Sequence, residues 1–371
     1  MIALFVINYV DDNECLECPT GFTCDGANAT ECAVDKYVEN NVCLECPANA
    51  TCDGVDAACD YANKYVDNNE CLECPTGFTC DGANATECDD LKTAVGEWLD
   101  NSTSAEAKYT HISEWDTSEV TDMSLQFCVR QGWMDGRADW ADCTSTDETF
   151  NADIGDWDTS KVTDMTRTFG YAATFNQDVG AWDTSKVTNL RYAFRDAAAF
   201  DQDIGNWDTS KVTTMDSAFY EASTFNAPIG GWDTSSVTTL YGTFKDAAAF
   251  NADIGDWDTS KVTTMSSTFW DAPTFNRPIG DWDVSSVTRM SATFFNNALK
   301  SAFNANIKGW DVSKVTDIDS LFRGASAFNA DISDWDTSKV TRTYGTFGPA
   351  AAFNQPIGDG TCRRCFIHKI C

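Results

Sequence analysis

The chain has 371 residues, with 58 acidic side chains against 25 basic ones, 17 cysteines and two histidines, His111 and His368. With 43% hydrophobic and 12% aromatic residues it holds too much core material for a disordered acidic tail, and a formal charge of −33 argues against nucleic acid as a partner, because phosphate binding needs clustered Lys and Arg. No run approaches the roughly 18 apolar residues of a membrane span, and the supply of histidine nearly excludes histidine-based catalysis.

Residues 1–7 are a residual segment. They have neither a basic n-region nor a cleavage site, so they do not make a full signal peptide. Tyr9-Val10 already matches Tyr37-Val38 and Tyr65-Val66, which leads us to expect that the true start lies upstream.

Residues 8–89 read as three cysteine-rich repeats with a period of 28. The columns are Cys15, Cys43 and Cys71; Cys18, Cys46 and Cys74; Cys24, Cys52 and Cys80; and Cys32, Cys59 and Cys88, the last slipping by one residue in the middle copy. Four cysteines per copy suit two disulfides, and three pairings are open. Zinc is the rival, since each copy holds a C-x-x-C, but zinc sites usually set two such pairs about 15 to 20 residues apart. Here 24 residues intervene and include further cysteines. The sequons at Asn28, Asn49, Asn84 and Asn101 have meaning only in a secreted chain, and together with oxidised cysteines they predict an extracellular, secreted or cell-surface location. Apolar residues are few, so bridges must stand in for a core. The phrase Cys-Leu-Glu-Cys-Pro-Thr-Gly-Phe-Thr-Cys, at 15–24 and again at 71–80, resembles the EGF-like or ephrin-receptor-like modules of receptor ectodomains. That resemblance implies a stalk or spacer.

Residues 90–109 read as a capping helix and linker. Leu91, Ala94, Val95, Trp98 and Leu99 share one helical face behind an N-cap at Asp89 or Asp90, so a helix is expected over 90–100.

Residues 110–360 are a second array, of period 25, marked by Trp-Asp at Trp115, Trp157, Trp182, Trp207, Trp232, Trp257, Trp282, Trp310 and Trp335. Two insertions, of 17 residues after Phe127 and three after Phe294, enter the same segment of the unit, which marks a loop on one face of a stack. In the second unit the apolar positions are Phe150, Ile154, Trp157, Val162, Met165 and Phe169. They fit neither a period of 2 nor one of 3.6, so a composite is expected: an extended piece at 152–157, a turn at Asp158, and a short helical turn carrying Val162, Met165 and Phe169. One unit cannot bury such a face alone, and stacking supplies the missing partner. The fold class expected is therefore a repeat solenoid of short strands and short helical turns behind a disulfide-rich, loop-rich region.

Each Trp is followed by Asp, and Ser and Thr recur beyond it: Asp158, Ser160 and Thr163 in the second unit. Stacked carboxylates suggest a Ca2+ ladder, the one cofactor considered. The alternative is Asx and ST turns that cap backbone N–H groups, with Lys161, Lys186, Lys211, Lys261, Lys314 and Lys339 offsetting the charge.

The phrase F-N-x-D-I-G-x-W-D-T-S-K-V-T-x-M-x-x-x-F resembles the repeat of BspA-like leucine-rich-repeat surface proteins over residues 110–357. Departures include Val179 for Ile, Thr343 for Met, and Gly360 where a tenth Trp is due. The resemblance implies a curved solenoid at a cell surface, engaged in adhesion or recognition, and supplies no catalytic residue.

Binding positions should vary between units and face solvent. The column after the second Phe runs Gly170, Arg195, Tyr220, Lys245, Trp270, Phe295, Arg323, a mixture able to stack on sugar rings and pair with carboxylate or sulfate. These could equally be ordinary exposed side chains. The long insertion carries Trp133 and Trp140 and is bounded by Cys128 and Cys143, which can close it as a disulfide loop, either a protrusion for a partner or a cover for the first coil. The atypical tail, 361–371, has ligand-like spacing in Cys362, Cys365, His368 and Cys371, although its abrupt change of composition argues against a metal site.

No G-x-S-x-G, P-loop or H-E-x-x-H motif occurs, and no enzyme is expected. Two function classes remain: an adhesion or recognition protein whose partners are proteins or glycans at a cell surface, and a subunit of an extracellular filament or coat that binds copies of itself.

Overall fold

The computed structural model describes residues 91–129, 143 and 149–356, and twelve short strands before residue 88 as backbone. The chain divides into two units, Met1–Asp90 and Leu91–Cys371.

Described strands in the first unit pair as six antiparallel hairpins, two per 28-residue copy. Asn8–Asp11 pairs with Glu14–Glu17, Lys36–Glu39 with Val42–Glu45, and Lys64–Asp67 with Glu70–Glu73, in one register that sets Tyr9, Tyr37 and Tyr65 opposite Leu16, Leu44 and Leu72. The second hairpin of each copy pairs Phe22–Cys24 with Ala29–Glu31, Ala50–Cys52 with Ala57–Cys59, and Phe78–Cys80 with Ala85–Glu87.

The second unit begins with α1, Leu91–Asp100, whose Ala94, Val95 and Trp98 are buried. A second helix, α2, Ser102–Tyr109, was not anticipated. Its sequence lacks an amphipathic stripe, and its signal is local: Asn101 is the N-cap and its Oδ1 accepts the Ser104 N–H at 3.1 Å. Val95, Trp98 and Ala105 join the same apolar core as Ile112, Met123 and Phe127. Trp98 meets Trp115 edge-on at 6.0 Å, so the helices pack on the first unit of the array. The expected N-cap residues Asp89 and Asp90 lie outside the described residues.

From Trp115 onward the 25-residue units lie in parallel register. One bridge per unit links Asp122, Asp164, Asn189, Thr214, Thr239, Thr264, Arg289, Asp317 and Arg342 in a single line. Around it alternate backbone N–H groups donate to the next unit: Met165 to Asn189, Arg167 to Arg191, Phe169 to Ala193 and Tyr171 to Arg195, at 2.7–3.0 Å. Thr163 donates backward to Thr121. The paired stretch is thus 163–171, not 152–157, and in the described array it contains no helical turn.

The reason lies in the backbone. Arg167 and Tyr171 have φ of 59° and 62°, and the pattern returns at Tyr192 and Asp196, Ser217 and Glu221, and Ser267 and Asp271. Local turns run alongside, with Thr168 N–H donating to Met165 O and Ala172 N–H to Phe169 O. A positive φ at the third residue is what type II turns require. The segment is therefore neither strand nor helix, and residues two apart donate across units while residues four apart, Met165 and Phe169, face the core. Non-glycine residues at positive φ carry a cost, which the ladder bonds on either side offset.

The core consists of three aromatic columns. Phe169, Phe194 and Phe219 stack at 5.3 to 5.5 Å, Phe175, Phe200 and Phe225 at 5.9 to 6.1 Å, and Trp182, Trp207 and Trp232 at 6.5 and 6.3 Å. Ile154, Val162 and Met165 and their apolar repeats fill the space between, buried throughout except at Val120 and Val340, which are partly buried.

Polar groups stitch the units. From Trp157 onward each Trp Nε1–H of a Trp-Asp pair donates to the carbonyl of the Ile or Val in the unit before, as Trp207 does to Val179 and Trp232 to Ile204, both at 3.0 Å. The Asn after the first Phe accepts the next unit's N–H in a running chain, Asn151 from Asn176 and Asn251 from Asn276. Thr159 and Thr184 hydroxyls donate forward to Asp183 and Asp208 carbonyls.

Candidate binding surface

The Asp of each Trp-Asp pair is committed to its own turn. Asp158 Oδ1 accepts Ser160 N–H at 2.9 Å, and the same bond recurs at Asp116, Asp183, Asp208, Asp233, Asp258, Asp283, Asp311 and Asp336. The Ser160 hydroxyl and N–H hold the exposed Asp158 carboxyl below its ordinary range, and the matching serines do the same for Asp183, Asp208, Asp233, Asp258, Asp311 and Asp336. Among the described residues no group of three or more His, Cys, Asp or Glu is arranged to hold a metal ion.

The variable column is brought together, but its groups face one another. Arg195 lies 4.5 Å over the Tyr220 ring, and Lys245 lies 4.7 Å from Tyr220 and 4.4 Å from Trp270. Trp270 and Phe295 rings are 4.5 Å apart, and Arg323 sits 5.6 Å over Phe295. Alternation of cation and ring along a stack makes each the other's partner. Phe295 is buried, Arg195, Tyr220, Lys245 and Trp270 are half-buried, and only Arg323 of these six is exposed.

An acidic column lies directly beside it. Arg195 Nε pairs with Asp196 at 3.0 Å, Trp270 Nε1–H donates to Asp271 at 3.0 Å, and Lys245 Nζ is 4.0 Å from Asp246. Burial, then the neighbouring Glu221, push the Asp196 carboxyl up to about 8. Against the cost of burial, hydrogen bonds from Asp196 and Tyr220 hold Glu221 below its ordinary value. Asp196 and Glu221 thus share one proton and one negative charge, which limits like-charge repulsion in a half-buried place. Burial also raises Asp246 to about 6.

Cys128 and Cys143 are joined by a disulfide, both sulfurs buried beside Leu125, Tyr171 and Tyr192. Trp133 and Trp140, within that loop, lie outside the described residues, as do Asn28, Asn49, Asn84, Cys18, Cys32, Cys46, Cys74, Cys88 and the tail 361–371. Cys15, Cys24, Cys43, Cys52, Cys59, Cys71 and Cys80 are described only as strand backbone. Asn101 is exposed, with its carboxamide oxygen engaged as the α2 cap.

Sequence reasoning missed a second variable face, along the bridge line itself. A shallow depression of about 550 Å³ opens there, lined by Asp216, Thr239, Tyr241, Thr264, Ser266, Arg289 and Ser291 among others. Tyr241 is 48% exposed. The signal was present, since the positions around Met165 and its repeats differ between units, but the assumed helical turn gave no reason to set them on one surface.

A family model described as "Mycoplasma protein of unknown function, DUF285" matches residues 99–141, 138–208, 190–301 and 295–364, more than half of the chain and nearly all of the 25-residue array. The chain belongs to the DUF285 family. Neither the curated proteins nor the solved structures yield a match. The first DUF285 match begins in the last turn of α1, and the later matches overlap, as is natural where each unit repeats the one before. Among the described residues no helix is long and apolar enough to cross a membrane.

Proposed function

We propose that this DUF285 protein is a non-enzymatic, extracellular cell-surface repeat protein for adhesion or recognition. In this reading the array is a leucine-rich-repeat-like solenoid that serves as binding arm, and the cysteine-rich segment is a disulfide-bonded stalk. One observation carries it: the recurring polar side chains are consumed inside the array. The Trp indoles, the Asn oxygens, the Thr hydroxyls and the turn aspartates all bond backbone groups of their own or the adjacent unit. What differs from unit to unit along the bridge line is then left to meet other molecules. The resemblance to BspA-like surface proteins, the sequons and the cysteine usage favour partners outside the cell, proteins or glycans, rather than nucleic acid.

The other reading is a filament or coat built through solenoid ends. Two residues of the last described unit bear on it. Pro349 stands where Tyr171, Asp196 and Glu221 donate a backbone N–H to the following unit, and proline has none, so a further unit stacked there lacks that bond. Thr343 stands where Met165 and Met290 fill the core. Light scattering of the purified chain, together with its binding to arrays of extracellular glycans and proteins, tests the proposal. Monomers that capture array components support the arm, whereas ordered polymers that capture none overturn it.

A further inference from the structure

Arg289 differs from Arg342, the other basic residue on the bridge line, and from Arg195 on the neighbouring column. Arg342 pairs with Asp317 at 3.1 Å and Asp319 at 2.7 Å, and Arg195 is held by Asp196 and by tyrosine rings. Arg289 is exposed and, among the described residues, its guanidinium meets no carboxylate, carbonyl or ring. What sets it apart is its place, beside a row of hydroxyl groups and an exposed tyrosine.

Its surroundings form a notch three units wide. Thr239, Thr264 and Arg289 are consecutive along the bridge line. Thr264 and Ser266, both buried, make the floor, their hydroxyls 3.3 Å apart, and Ser291 extends the hydroxyl chain to Ser266 at 3.0 Å. On one side stands Tyr241, in the unit of Thr239, and on the other Arg289, so aromatic ring and cation are two units apart. At ordinary strand spacing that is about 10 Å, the width of one sugar ring and its substituent. The two acids lining the notch are engaged, Asp317 by Arg342 and Asp216 by the Thr239 hydroxyl. Charges farther away than about 8 Å are screened at physiological salt, so the contact charge at Arg289 decides what binds.

We infer that this notch binds a saccharide bearing a carboxylate, with the sugar ring against Tyr241, its hydroxyls over the Thr239, Thr264, Ser266 and Ser291 oxygens, and its carboxylate on Arg289. A flat ring face suits an apolar sugar face, hydroxyl groups both donate and accept, and the guanidinium fork matches a carboxylate with two parallel bonds. The inference rests on the recognition reading above and gives it a site and a ligand class.

Titration of the full chain with a galacturonic-acid oligomer, and with the same oligomer after reduction of its carboxyls to alcohols, tests it. The native chain binds the acidic oligomer and the reduced one at least about tenfold more weakly, and Arg289→Gln loses about tenfold for the acidic oligomer, the cost of one charge-assisted pair. Tyr241→Ala weakens both oligomers, while Arg195→Gln, on the other column, changes neither. Circular dichroism establishes that the variants are folded. Equal affinity for the two oligomers, unchanged binding by Arg289→Gln, or no binding of the acidic oligomer overturns the inference. If the chain still captures other extracellular molecules in that case, the notch is wrong and the binding arm stands. If it captures nothing and polymerises, both fall.

Discussion

The indole N–H of Trp232 donates to the carbonyl of Ile204, one unit back, at 3.0 Å, while its ring stacks on Trp207 at 6.3 Å. The same side chain thereby fills the core and closes a backbone acceptor that water cannot reach. Trp232→Phe keeps an aromatic ring but leaves the Ile204 carbonyl unsatisfied and a cavity beside it. It should lower the unfolding free energy by about 2 to 4 kcal/mol. Urea denaturation measures this, and a change below about 0.5 kcal/mol, the scatter of a neutral surface substitution, would show that the bond does not matter.

Neighbouring glycines make a sharper comparison. A Cβ on Gly205 would meet the Pro228 carbonyl oxygen at 2.4 Å, whereas one on Gly231 meets nothing within 4 Å. The first separation belongs to backbone in the adjacent unit, so no side-chain rotation relieves it. Gly205→Ala should cost more than about 2 kcal/mol and Gly231→Ala less than about 0.5. Equal thermal midpoints for the two variants would refute the close approach of the units.

Asp196 and Asp246 set a pH dependence opposite to that of the turn aspartates. Their carboxyls, ordinarily near 3.8, lie at about 8 and about 6 in the folded chain because they are buried. A carboxyl raised on folding contributes stability that is complete below the unfolded value and lost as pH climbs through the folded one. Asp158 and its equivalents are lowered, so their contribution is present above the unfolded value and disappears as pH falls through the folded one. Stability should peak in mildly acidic buffer and decline between about pH 4 and 8. Asp196→Asn should flatten that decline in a series of thermal melts, and an unaltered slope would assign the decline elsewhere.

Cys128 and Cys143, 15 residues apart, close the long insertion. Replacing both by serine should cost about 3 kcal/mol, from the freed loop and from burying hydroxyls in an apolar place. The loss should be absent when native and variant chains are compared under full reduction, apart from the serine term, and calorimetry with and without reductant separates the two.

Much of the array was legible in the residues. A 25-residue recurrence names the buried set directly, since Phe150, Ile154, Trp157, Val162, Met165 and Phe169 are apolar in a chain rich in acid, and all six are buried. The turn at Asp158 was legible too, because Asp followed two residues later by Ser is a local pattern that needs no partner. So was the helix before the array, written in the spacing of Leu91, Val95 and Trp98.

Other features waited for tertiary structure. Recurrence says which residues share a column but not which way a column faces or which columns lie side by side. Arg195, Tyr220 and Lys245 turned out to satisfy one another, and Arg289, which has no ion pair among the described residues, stands on a different line. The backbone between Met165 and Phe169 was misread because alternating positive φ has neither the period of a strand nor that of a helix, and it is held by hydrogen bonds to units 25 residues away. Apolar burial depends on composition at each place and can be read from one unit. Hydrogen-bond direction and charge pairing depend on the neighbour across the stack, and only the assembled units supply that neighbour.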